Sequence, residues 1–398
     1  MTSLKILHTD FHRGWGGQAA RVLMLSGELV RRGHEVTIAA PPGELARRTR
    51  RLAGRLPGLR IDDGFSFHSP SHLAAFVRDM RRMAALLRRE RFDIIDVHGS
   101  QDGWVTAIAR AATGLPGRLV LTRHNTKRVR AGLPNRLLYG RLVHHVILVD
   151  ESIRGEYGPL LARGAIADSR MSVVSSAYRS DLFHPGVDRR KLRGELGLSD
   201  ADLVIGVAGR LVLDKGHIHL FEAVRSLRAA HPAIVIVLAG AGPNERRLRE
   251  QARELGLEAA VHFLGFRSDI AQVEASFDIA VLPSVGCDAS SAVLKEAMAL
   301  GVPVIATDVG GARHIIKHRE TGLIVPSGDP AALAAALRSL IEDPSSARRM
   351  AERARARVAD RFSVERLADG TLGAYERALA DADRDREREP FGGSRRSA

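Results

Sequence analysis

Two parallel α/β domains, each with helices on both faces of its sheet, are predicted by three features of the 398-residue sequence. Strand-length apolar runs alternate with stretches of helical period from end to end, which places parallel strands between two helical layers. The length suits two domains of ordinary size, each able to bury a core. A polar, turn-rich break, SAYRSDLFHPG at 176–186, interrupts the alternation, so the first domain is predicted over residues 1–180 and the second over 187–360.

Composition narrows the class. Apolar residues make up 45%, as globular packing requires, and no apolar run approaches the roughly 20 residues of a membrane helix. The N-terminus, MTSLKILHTDF, enters a strand directly without a signal-peptide core. A lone cysteine, Cys287, leaves no internal disulfide, so a cytoplasmic setting is expected. Charge is lopsided: residues 1–190 hold 31 Lys+Arg and 17 Asp+Glu, whereas residues 191–398 hold 29 of each, so the excess of +14 lies in the first half. Three clusters carry it: Arg47, Arg48, Arg50, Arg51 and Arg55; Arg78, Arg81, Arg82, Arg88 and Arg89; and Lys127, Arg128, Arg130, Arg136 and Arg141. Any one reads plainly as a solvated face. Three in an acid-poor half predict docking on an anionic membrane surface, peripherally on the inner face of the plasma membrane.

In chain order, Lys5–Thr9 is the first strand. A glycine-rich turn at Gly14, Gly16 and Gly17 opens a helix to Arg32, Gly33 stops it, and a strand starts at Glu35. A helix over 72–91 carries an apolar stripe of Leu73, Phe76, Val77, Met80, Ala84 and Leu87. Two strands end in histidine, IIDVHG at His98 and LVLTRH at His124, where ligands of parallel sheets bind. HHVILVD (144–150) and MSVVSSA (171–177) are further strands.

The second half opens with strand Leu203–Ala208 and the loop GRLVLDKG, in which Gly209, Arg210 and Lys215 follow a strand end. An arginine for bidentate contact and a lysine for concentrated charge suit a diphosphate there. Strands follow at 233–240 and 261–266. Residues 279–311, IAVLPSVGCDASSAVLKEAMALGVPVIATDVGG, then read as strand, polar loop, helix and strand, with Ser290 or Ser291 as N-cap. Free amides at the helix start, near Ser290–Ala292, and the positive dipole end make an anion site. Asp288 on the loop and Glu296 two turns into the helix are placed to accept from neutral hydroxyls. Amides for phosphates and carboxylates for hydroxyls suit a sugar nucleotide. Asp381, Asp383 and Asp385 lie in a charged tail, 381–398, predicted to be disordered. They have no strand or pocket around them, and no metal site is expected.

Glu296, Ala297, Met298, Ala299, Gly301, Pro303 and Val304, with an acid eight positions before Glu296, resemble the signature of the retaining nucleotide-sugar glycosyltransferases of family four. Asp288 stands where that family has glutamate. The resemblance spans about residues 4–379. It implies the GT-B fold, two Rossmann-like domains facing across a cleft, with the acceptor on the first, the donor on the second and a helix over 361–380 crossing back to the first. It implies that Arg210 and Lys215 hold the diphosphate, Glu296 the ribose and Asp288 the sugar. It also implies that His124 lies near the reacting sugar and Gly16 and Gly17 near the diphosphate and acceptor, where a Cβ at Gly17 would block backbone approach. Phe266 and Arg267 follow the Leu-Gly that lies near the nucleobase in relatives.

The expected reaction moves a sugar from a UDP- or GDP-sugar, used as co-substrate without a cofactor, to a glycan or lipid-linked acceptor with an α-linkage. Cell-surface polysaccharide or lipopolysaccharide synthesis is the expected setting, and activity is expected to survive EDTA. A nucleotide-sugar 2-epimerase of similar fold is one alternative, but its own histidine and acid pattern is missing. A basic nucleic-acid-binding protein is another. No nucleic acid is expected as partner, since aromatics are only 5% and the phosphate-type site lies in the neutral half.

Overall fold

The computed structural model describes residues 2–68, 71–286 and 291–387, with side chains through residue 380. Two compact units emerge, one of residues 1–175 with 364–398 and one of residues 176–363.

The first unit holds strands β1 (Lys5–Thr9), β2 (Glu35–Ala39), β3 (Leu59–Asp62), β4 (Ile94–Val97), β5 (Arg118–Arg123), β6 (His145–Leu148) and β7 (Met171–Val173). Their order is β3-β2-β1-β4-β5-β6-β7, every neighbouring pair parallel. Ile6 and Leu7 are adjacent yet both fully buried, because each face of the sheet is covered. The direction of strand addition reverses between β1 and β4, so their carboxyl ends frame the natural ligand crevice of this unit.

The predicted helix over 72–91 forms as Leu73–Glu90, but its buried face differs from the expected stripe. Leu73 is 69% exposed, whereas Phe76, Met83, Leu86 and Leu87 are buried along with Asp79. Asp79 turns the helix this way because its carboxylate accepts from the Ser66 hydroxyl (2.7 Å) and the Phe67 amide (2.7 Å), pinning the loop that carries Phe65 and Phe67. The chain's last helix, Val364–Glu387, belongs to this unit. It takes in the first residues of the segment expected to be a disordered tail, since ADADRDRE holds only helix-tolerant residues and no glycine or proline. Asp369 pairs with Arg32 (2.6 Å), and the Tyr375 hydroxyl donates to buried Asp96 (2.8 Å).

The second unit holds β8 (Leu203–Ala208), β9 (Ile234–Ala239), β10 (Val261–Gly265), β11 (Ile279–Leu282), β12 (Val304–Thr307) and β13 (Leu323–Val325), again all parallel, in the order β10-β9-β8-β11-β12-β13. Alternate residues of β8 enter two cores. Ile205 and Val207 join Leu220, Phe221 and Leu337 on one face, while Val204 and Ala208 join Phe277, Leu294 and Met298 on the other. The reversal here falls between β8 and β11. Both loops singled out in the sequence, at Arg210–Lys215 and at 283–286, leave the carboxyl ends of those two strands.

Candidate functional site

Backbone contact makes the site of the second unit before any side chain enters it. After β8 the chain passes Gly209 (φ +144°) and exposed Arg210, makes a tight turn over Leu213–Lys215, and enters the helix His217–Leu227 through Gly216 (φ +63°). Asp214 accepts from the amides of Val285 (2.8 Å) and Gly286 (3.0 Å), so the turn bearing Lys215 is latched to the loop after β11. Glycine is required at the closest approaches. A Cβ on Gly216 would lie 2.1 Å from the Pro283 carbonyl oxygen, and one on Gly240 would lie 1.8 Å from that of Gly209. A Cβ on Gly209 would stand 3.9 Å from Lys215 Cε, which shows the lysine stem curving back over the first glycine.

The helix Ala292–Ala299 follows the β11 loop. Ser291 occupies its N-cap, buried and in the left-handed region (φ 36°), but its hydroxyl does not make the predicted cap bond to the first turn. The other N-cap candidate, Ser290, and the loop acid Asp288 lie outside the described residues. Adjacent charges on the helix divide their work. Lys295 is buried, donates to the Ser176 carbonyl (2.8 Å) and lies 5.0 Å from the Phe362 ring centroid. Glu296 is pushed up to about 7 by burial, against the pull of Lys295 and Arg179.

A neighbour that sequence reasoning missed is Glu274, on the helix Ile270–Ala275. It is fully buried, and neither carboxyl oxygen has a hydrogen-bond partner among the described residues. Burial first, and then the charge of Glu296, drives it well above the carboxylate range. The one available signal was a glutamate inside the apolar run IAQVEASF. Phe266 is 78% exposed beyond β10. Arg267 beside it is committed, bonding Asp269 through Nε (2.8 Å) and Glu195 through both terminal nitrogens (2.5 and 2.9 Å).

In the first unit, Gly16 is the N-cap of the helix Gly17–Arg31 and has open space where a Cβ would stand. His124, just past β5, lines a cavity of about 170 Å³ together with His98, Ser100, Arg123, Asn125 and Arg128; among the described residues none of the lining is acidic. Behind it the strand order sets three imidazoles in a row. His124 Nε2 is 3.0 Å from His98 Nδ1, and His98 Nε2 is 3.0 Å from His8 Nδ1. Asp96 lies against the two inner rings (3.7 and 3.8 Å), giving a His8–Asp96–His98 group close enough to hold a metal ion among the described residues. Burial lowers all three histidines, His8 to about 3, and raises Asp96 to about 7. His8 was not seen from sequence as a partner of His124, because 116 positions separate the two and only the sheet brings them together.

Comparison with known proteins agrees with the fold of two parallel α/β units. Residues 188–357 match the model for glycosyl transferases group 1, and residues 15–193 match that for glycosyltransferase family 4. A D-inositol 3-phosphate glycosyltransferase of Corynebacterium glutamicum is 31% identical, covering 94% of each chain. One from Mycobacterium marinum is also 31% identical, over 92% of this chain and 82% of its own. Among solved structures, a Rickettsia africae glycosyltransferase superposes with a TM-score of 0.81 at 20% identity, covering 95% of this chain and 99% of its own. Anabaena HepE in complex with UDP and glucose superposes with a TM-score of 0.79 at 23% identity, covering 94% and 99%. Full-length identity above 30%, two family models meeting near the predicted boundary and two parallel Rossmann-like units together show that the chain belongs to glycosyltransferase family four, of the GT-B fold.

Proposed function

We propose that this glycosyltransferase moves a sugar from a UDP-sugar, with retention and without a metal, to a phosphorylated or lipid-linked acceptor. The observation that carries the reading is the latched loop at the β8/β11 reversal, where Arg210 and Lys215 follow the carboxyl end of β8 on a turn held against the loop after β11. Glu296 accepts from the ribose hydroxyls, Asp288 from the sugar, and the amides at the start of the helix Ala292–Ala299 assist the two cations. Their work is to stabilise charge developing on the leaving diphosphate, so no side-chain base is called for. UDP is preferred over GDP because the Anabaena neighbour was solved with UDP and with UDP-glucose.

The acceptor falls to the first unit. The curated relatives are named for D-inositol 3-phosphate, and a small cavity rimmed by Arg123, Arg128 and His124 without a carboxylate suits a phosphorylated polyol. A lipid-linked glycan in polysaccharide or lipopolysaccharide assembly is favoured by a different feature, a basic surface. No helix among the described residues is long and apolar enough to cross a membrane. Of the three basic clusters, the first pairs with Glu44 and Asp63 and the second with Asp62, Asp79 and Glu90. The third has no ion pair among the described residues. It borders a hollow of about 800 Å³ lined by Lys127, Arg128, Arg130 and Arg163, next to the exposed Leu133 and Leu137.

Thermal shift against UDP, GDP and ADP is the direct test, since a ligand stabilises by RT ln(1+[L]/Kd). UDP is expected to stabilise most, with EDTA present, and Lys215→Ala is expected to remove that shift and lower turnover by about 10²–10³. A folded Lys215→Ala protein that keeps both the UDP shift and normal turnover would contradict the assignment.

A further inference from the structure

We propose that His8 and His98 are positioning residues that lock His124 as its Nδ1–H tautomer, so that the cavity of the first unit meets a hydrogen-bond donor and not a base. The argument is a proton count. Three neutral imidazoles carry three protons on six nitrogens, and the two 3.0 Å nitrogen–nitrogen contacts each hold one. The third must sit at one end of the row. Two polarities satisfy both contacts, and they differ only in that end.

In one, His124 donates to His98, His98 donates to His8, and the last proton sits on His8 Nε2. That nitrogen is buried and has no partner among the described residues. In the other, His8 Nδ1–H donates to His98 Nε2, His98 Nδ1–H donates to His124 Nε2, and the last proton is on His124 Nδ1, on the part-exposed ring that lines the cavity. A buried N–H left without an acceptor disfavours the first arrangement, because orphaned buried donors are rarer in folded proteins than under-satisfied acceptors, and the second leaves only a bare lone pair on His8. The order of β1, β4 and β5 in the sheet builds the row, so the polarity is set about two rings away from the cavity it serves.

The tautomer itself does not depend on the enzymatic reading; its use, donating to an acceptor oxygen, rests on the proposal that this cavity receives the acceptor. Protein labelled with ¹⁵N-histidine, with the His124 signals assigned through His124→Gln, reports the tautomer directly. At neutral pH, His124 Nδ1 is expected in the protonated, pyrrole-like range and Nε2 in the unprotonated, pyridine-like range. The reverse pattern overturns the proposal. So does a tightly held transition metal that His8→Leu removes, because a metal on these rings would displace the shared proton.

Two variants separate positioning from mere packing. His8→Leu deletes the donor to His98 and is expected to mix or reverse the His124 tautomer. His8→Asn places an amide N–H near the lost Nδ1 and is expected to restore it. An acceptor kcat/KM that falls about tenfold or more in His8→Leu, recovers in His8→Asn and leaves the UDP shift unchanged supports both the lock and the acceptor reading. A tautomer that changes while acceptor kinetics stay constant keeps the lock and removes the acceptor from this cavity.

Discussion

On the proposed donor reading, Glu296 ties the chemistry of the second unit to pH through a single carboxyl. Burial holds it at about 7, well above an ordinary glutamate, so near neutrality it is divided between two forms. Only the ionised form accepts from both ribose hydroxyls, so donor binding must expel any proton present. Affinity for UDP-glucose, whose diphosphate has no group titrating near neutrality, is therefore expected to weaken as pH falls from 8 to 5.5, approaching about tenfold per unit below 7. Calorimetry in buffers of differing ionisation enthalpy is expected to register proton release, and Glu296→Gln to abolish both effects. A flat profile in the parent protein would mean that the carboxyl does not receive the ribose. The placement of Glu296, Arg210 and Lys215 at the ends of strands and on the following loop and helix was legible in the sequence, because each belongs to a local run of strand, loop and helix. Glu274 and the His8–His98–His124 row were not, since each is assembled from separate elements and no local pattern encodes that meeting.

Elements were the most legible level, for a physical reason. Strands buried on both faces are nearly continuous apolar runs, so Ile279–Leu282 and Leu203–Ala208 stand out unaided. What the sequence misread was which face a helix buries, as at Leu73, where a buried Asp79 outweighed an apolar stripe, and the capping at Ser291, where a left-handed residue replaced a hydroxyl cap. Glycines of the donor loop were readable as turns but not as close approaches. That distinction is testable by pairing Gly216→Ala with Gly256→Ala. Both positions are left-handed, at +63° and +69°, so both variants carry the roughly 1–2 kcal/mol penalty of that conformation. A Cβ at Gly256 meets nothing within 4 Å, whereas one at Gly216 drives into the Pro283 carbonyl. Gly216→Ala is expected to lower Tm by several degrees more than Gly256→Ala and to lose UDP stabilisation, because the latch to Val285 and Gly286 must shift. Equal Tm losses with intact UDP binding would show that the loop tolerates the displacement.

At the scale of the whole molecule, charge is distributed as unevenly as the sequence foretold, but pairing divides it more sharply than counting does. Much of the first two basic clusters is neutralised by neighbouring carboxylates, and exposed pairs of that kind add little to stability or to an external field. Lys127, Arg128, Arg130, Arg136 and Arg141 retain their charge, and Leu133 (77% exposed) and Leu137 (46%) stand four residues apart in one short helix among them. Cations without an ion pair among the described residues, beside exposed leucines, match a surface with anionic headgroups over hydrocarbon; a nucleic acid would use the charge and leave the leucines wet. Each cation near such a surface contributes about 1 kcal/mol, so reversing the charge of two is expected to weaken binding by well over tenfold. Flotation with vesicles containing one-third phosphatidylserine is expected to carry the parent protein, and neutral vesicles are not. Arg128→Glu with Arg130→Glu is expected to abolish flotation. Leu133→Ser with Leu137→Ser is expected to weaken it, with the remaining binding more easily removed by salt. Arg47→Glu with Arg50→Glu, in the first cluster and paired with Glu44 and Asp63, is expected to leave it intact. Flotation lost equally from both arginine pairs would assign the effect to net charge alone, and tight salt-dependent binding to duplex DNA that ignores the leucines would transfer this surface to a nucleic acid.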